Sequence, residues 1–87
     1  MTREELILVF EQAKKSKSDI YVAVTIPGQN DVEYIVNKYR NLDNRLEYYC
    51  HIYDENGQRY LNKQVRIVYA GCINFYIGEY NHDKRIN

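Results

Sequence analysis

Cys50 beside His51 sets a thiol next to a base, the first requirement of a cysteine nucleophile. The surrounding residues read as a strand, where successive side chains leave opposite faces, so thiol and imidazole cannot share a proton. Cys50 therefore reads as a buried structural thiol. Cys72 has no CxxC partner either, and two cysteines in a chain of this size are too few for a disulfide scaffold, so both are expected reduced. His51 and His82 stand too far apart for ligand spacing and no close Cys pair assists them, so no metal is expected. Gly28, Gly57, Gly71 and Gly78 form no phosphate-cradling loop, and no other cofactor signature is present. Asp19, Asp31, Asp43 and Asp54 fall at the ends of expected strands, where Asp caps turns, rather than in a catalytic pair. These residues give no reason to expect an enzyme.

Tyrosine is the residue type left to explain: ten of the twelve aromatics are Tyr, two are Phe and none is Trp. Tyr combines an apolar body with a polar tip and suits half-wet sheet faces and contact patches. Alternation along the expected strands puts Tyr21, Ala23 and Thr25, then Glu33, Ile35, Asn37 and Tyr39, then Glu47, Tyr49, His51 and Tyr53, then Arg66 and Val68, on one outer face. The candidate binding residues are Tyr21, Ile35, Tyr39, Tyr49, His51, Tyr53 and Arg66. Their composition is that of a protein interface. Three readings stay open: a solvated face of β-formers, a contact for a protein partner or second copy, and a weak single-stranded nucleic-acid surface. In the third, tyrosines would stack bases while Lys38, Arg40, Arg45 and Arg66 meet phosphates. Glu33 and Glu47 on the same face oppose it. So does the charge balance, twelve Lys plus Arg against twelve Asp plus Glu, which leaves little counterion release to drive binding.

The elements that must position this face begin with a helix. Thr2 and Glu5 form a capping box, and Leu6, Val9, Phe10 and Ala13 recur at helical spacing through about Lys17. After Asp19 the period becomes two, with Ile20, Val22, Val24 and Ile26 on the inner face of a first strand. Pro27-Gly28-Gln29-Asn30 turns the chain into a second strand, residues 31–39. A loop of odd length pairs Ile26 with Val32, Val24 with Tyr34 and Val22 with Val36, whereas an even loop sets Glu33 against Val24. The odd loop is expected. Asn41-Leu42-Asp43-Asn44 is a second turn, and residues 45–53 a third strand with Leu46, Tyr48, Cys50 and Ile52 inside. Asp54-Glu55-Asn56-Gly57 is a hairpin signal. Val65, Ile67 and Tyr69 line the inner face of a fourth strand, Gly71 marks a bulge or corner, and residues 72–77 have the composition of a fifth.

The expected fold is α+β: an N-terminal helix packed on one face of a four- or five-stranded antiparallel β-meander. At 87 residues this is one domain, residues 1–80, with residues 81–87 a polar tail. No apolar run is long enough to cross a bilayer, and the acidic opening is unlike a signal peptide, which points to the cytoplasm.

The opening MTREEL, the run DIYVAVTIPGQNDVEYIVNKY and the stretch NLDNRLEYYCHIYDENG resemble small uncharacterised proteins encoded by phages and prophages of low-GC Gram-positive bacteria. The resemblance lies in the texture of residues 1–57. It implies a small accessory product that acts through protein contacts inside a bacterial cell, and it assigns no site residue.

Overall fold

The computed structural model describes residues 1–73. Helix α1, Arg3–Ser16, starts where the sequence says it should: the Thr2 side chain accepts from the Glu5 amide, and the Glu5 carboxylate accepts from the Thr2 amide. Its apolar stripe buries Leu6, Phe10 and Ala13. Strand β1, Asp19–Thr25, pairs with β2, Val32–Asn37, and with the long β4, Asn62–Ile73. A two-residue strand β3, Gln58–Arg59, closes the far edge. The result is α+β, with α1 packed on a four-stranded antiparallel sheet of order β2-β1-β4-β3.

That order is reached by a crossover rather than by a simple meander, because the expected third strand is a helix. Residues Leu42–Ile52 form α2 after a 3-10 turn at Tyr39–Asn41, in place of the turn expected at 41–44. Alternation of Leu46, Tyr48, Cys50 and Ile52 suggested a strand. The buried set instead follows a helical stripe, Leu42 and Tyr49, with Leu46 and Ile52 packed beside it and the C-cap Tyr53 buried just beyond. Leu42, Arg45, Leu46 and Glu47 are all good helix formers, and a short apolar run cannot by itself separate helix from strand. Tertiary packing decides between them: α1 alone leaves part of the sheet open, and the Tyr49 ring fills it, meeting Phe10 edge-on at 6.0 Å between centroids. The Arg3 guanidinium donates to the carbonyls of Cys50 and Tyr53, satisfying acceptors at the C-terminus of α2.

The β1–β2 register is the one set aside above. Thr25 pairs with Val32, Val24 with Glu33, Ala23 with Tyr34, Val22 with Ile35 and Tyr21 with Val36, across an even connection. The carboxylate expected to disturb the apolar face does not, because β2 is an edge strand and Glu33 is exposed to solvent there. On β4 the step between Ala23–Tyr69 and Val24–Ile67 is a β-bulge at Val68. Val65 and Ile67 face the core as expected, but beyond the bulge Ala70 takes the inner position and Tyr69 turns outward. Gly71 is therefore neither bulge nor corner; it lies within β4 opposite Tyr21. Cys72 and Ile73 end the same strand. The remainder of the expected fifth strand, the 74–80 end of the expected domain and the 81–87 tail lie outside the described residues.

Asp54-Glu55-Asn56-Gly57 makes the expected tight turn, entered here from a helix. Asp54 Oδ1 accepts from the amides of Asn56 and Gln58, both at 2.9 Å, and Oδ2 accepts from Lys63 at 2.6 Å. The Lys63 ammonium first, and the Gln58 amide next, hold the Asp54 carboxyl below its ordinary range. A depressed folded value makes the turn's contribution complete above the ordinary Asp range, about pH 3.9, and lost as pH falls through the folded value. Melting followed from neutral pH downward should therefore show an acid loss below about pH 4 that is shallower in Asp54→Asn than in the parent.

Candidate tyrosine-lined sheet surface

Both helices lie on one side of the sheet, and the core of Leu6, Phe10, Ile20, Val22, Leu42, Tyr49 and Ile67 fills the space between the layers. On the opposite side, β1 contributes Tyr21 and Ala23, β2 contributes Tyr34 and Val36, and β4 contributes Tyr69 and Gly71. The register sets them in two rows. One runs Tyr34, Ala23, Tyr69 and the next Val36, Tyr21, Gly71.

The Tyr21 ring lies between the other two, 6.0 Å from Tyr34 and 5.7 Å from Tyr69. Together they cover Ala23, which is buried although it points away from the helices. Gly71 allows this arrangement. A Cβ there would stand 3.2 Å from the Tyr21 hydroxyl oxygen and 3.3 Å from its ring. Burial, with the Tyr69 hydroxyl alongside, pushes the Tyr21 phenol up, so it stays a neutral donor at physiological pH. Tyr34 and Tyr69 are each 53% exposed and Val36 is 36% exposed. The patch is apolar at its centre, carries hydroxyls above it, and contains no charge among these six residues. Asp19 and Lys38 make an ion pair at one end, and Arg66 stands exposed at the other, beside Thr25.

Of the candidate residues read from the sequence, Tyr21 lies in this patch and Arg66 at its border. Ile35 packs toward the core, because the observed register turns it to the helix side. Tyr39 is exposed in the 3-10 turn, its amide donating to Asp19 Oδ1 at 2.7 Å. Tyr49 is a core residue and His51 is on the solvent side of α2 because residues 42–52 are helical, and Tyr53, the extended C-cap that bridges to Arg59, is a core residue too. Cys50 is half-buried rather than enclosed. The alternation read from the sequence turns Tyr34 and Tyr69, the two most exposed rings of the patch, inward instead. The even register would have exposed Tyr34 to sequence reasoning, whereas the bulge that turns Tyr69 has no signature in the sequence.

A second polar cluster ties β2 to α2. Buried Asn37 accepts at Oδ1 from Arg45 Nε at 2.8 Å and from the Tyr49 hydroxyl at 3.0 Å, and its Nδ2 donates to the Ile35 carbonyl. The Arg45 guanidinium stacks 4.6 Å over the Tyr48 ring. Among the described residues no carboxylate lies within ion-pair distance of Arg45. Among the same residues there is no group of three or more metal-ligating side chains, and no helix is long and apolar enough to cross a membrane. No family model matches the chain, and comparison with curated proteins and with solved structures finds no match.

Proposed function

We propose that this domain is a noncatalytic protein-interaction module whose contact surface is the outer sheet face around Tyr21, Tyr34 and Tyr69. The observation that carries this reading is the mutual packing of three tyrosines over Ala23. The rings are held in place before any partner arrives, so little side-chain entropy is lost on contact. An uncharged centre with hydroxyl tips is the composition of interface cores, and it avoids the desolvation of buried ions. A cytoplasmic accessory product of phage or prophage origin, acting through contacts with another protein, is consistent with this surface.

Tyr34→Ser and Tyr69→Ser separate stability from binding. Each ring is half exposed, so each substitution should lower domain stability by about 1 kcal/mol or less. A partner recovered from bacterial lysate and then purified should lose about 2 kcal/mol or more of association with either variant. Its affinity should change little across a salt series. Equal affinity for the parent and the double variant would end this reading. A steep log-linear fall with salt would instead favour single-stranded nucleic acid on the same face.

A further inference from the structure

The two edges of the sheet are unlike. β3 is two residues long with a register shift beside it, a blunt edge that resists further pairing. β2 is six residues long, regular, free of proline and rich in β-formers, and on one side it has no neighbour among the described residues. The Val32 amide is taken by Asp31 Oδ1 rather than by β1. Backbone groups on one side of a strand recur every second residue, so those of Tyr34 and Val36 point to the open edge as well.

We infer that β2 pairs antiparallel with β2 of a second copy, centred on Ile35, to give a two-fold dimer with one eight-stranded sheet. Only residues of matching orientation can face each other across such a pair, so few registers are available. One of them opposes Glu33 to its own copy, which like charge disfavours, and the next opposes Glu33 to Ile35. The register centred on Ile35 pairs Tyr34 with Val36 on the outer face, Ile35 with Ile35 on the helix side, and Glu33 with Asn37. An aromatic with a β-branched residue is a favourable cross-strand pair.

The last of these pairings also brings charge to charge. Asn37 Oδ1 holds Arg45 Nε at 2.8 Å, and Arg45 has no carboxylate of its own among the described residues. Glu33, exposed on the helix side in the free domain, would reach the Arg45 guanidinium of the second copy, twice by symmetry. The pairing also continues the tyrosine face across both copies. It rests on the edge and on Arg45, not on the function proposed above.

Sedimentation of the full chain from micromolar to millimolar concentration should show a monomer–dimer equilibrium. Glu33→Arg should weaken it at least tenfold while leaving the melting temperature of the dilute monomer unchanged. Ile35→Cys, in a background with Cys50→Ser and Cys72→Ser, should form an interchain disulfide under mild oxidation, because a directly opposed non-hydrogen-bonded pair has the right separation. Tyr34→Cys in that background should not cross-link to itself, but should cross-link to Val36→Cys. Tyr69→Ser lies away from the edge and should leave the dimer intact, which separates this inference from the proposed partner contact. A parent that stays monomeric throughout, or a dimer indifferent to Glu33→Arg, overturns it. Cross-linking of Tyr34→Cys to itself in preference to Ile35→Cys overturns the register.

Discussion

Tyr49→Ser is expected to leave the domain unfolded, or nearly so, at room temperature. The Tyr49 side chain is 1% exposed and fills the angle between α1, α2 and the end of β2. Removing a buried aromatic of this size costs about 3–5 kcal/mol, and an 87-residue domain holds only about 4–13 kcal/mol in total. Its hydroxyl adds a smaller amount, for a reason visible in the bonding. Asn37 Oδ1 keeps the Arg45 Nε bond when the tyrosine hydroxyl is lost, so Tyr49→Phe leaves no orphaned acceptor and should cost about 1 kcal/mol. The neighbouring His51→Ser, on the exposed side of the same helix, should be close to neutral. Urea unfolding of the three variants would read this order directly. A Tyr49→Ser protein as stable as the parent would mean that Tyr49 is not in the core and that residues 42–52 do not form the helix.

The same residue shows how far the sequence is legible. The start of α1 could be read because a capping box is a local chemical signal, complete within four residues. β1 could be read because Ile20, Val22 and Val24 alternate and are buried, as a central strand requires. Residues 42–52 satisfy both periods, with Leu46, Tyr48, Cys50 and Ile52 for a strand and Leu42, Leu46 and Tyr49 for a helix. The decision comes from the space beside Phe10, which no local pattern records. The β1–β2 register departs from the expected one for a related reason. Glu33 opposite Val24 looks unfavourable only if the helices cover β2 along its whole length, whereas they cover Ile35 and Asn37 and leave Glu33 exposed. A tyrosine-rich outer face was therefore foreseeable as a composition, while its membership depended on one register and one bulge. Tyr21 lies on the outer face as its alternation predicts, because β1 is the strand whose faces are unambiguous.

Gly57→Ala should cost about 3 kcal/mol, of which about 1–2 kcal/mol comes from the backbone conformation and the rest from the overlap. Gly57 closes the Asp54–Gly57 turn with φ of 81°, a region where a Cβ is strained. A methyl group there would also overlap the Met1 carbonyl oxygen and come within 3.7 Å of the Ile67 carbonyl. The space is closed because the N-terminus is tucked against this turn. The Met1 ammonium donates to the Ile67 carbonyl at 2.9 Å, the Arg3 amide to the Glu55 carbonyl at 3.0 Å, and the Ile67 amide to the Gly57 carbonyl at 2.8 Å. Backbone cannot swing aside as a flexible side chain can, so the substitution must displace residues 1–3 and loosen the entry to α1. Gly28 supplies the control: its φ is 77°, but a Cβ built on it meets nothing within 4 Å. Gly28→Ala thus carries the conformational term alone, about 1–2 kcal/mol. The excess of Gly57→Ala over Gly28→Ala, read from denaturant midpoints under one set of conditions, measures the docking of the N-terminus on the turn. Acetylating the Met1 amine removes its charge and should shrink that excess, since the parent would then start with its N-terminus already loosened. Equal losses from the two glycine substitutions would show that residues 1–3 contribute nothing at this contact.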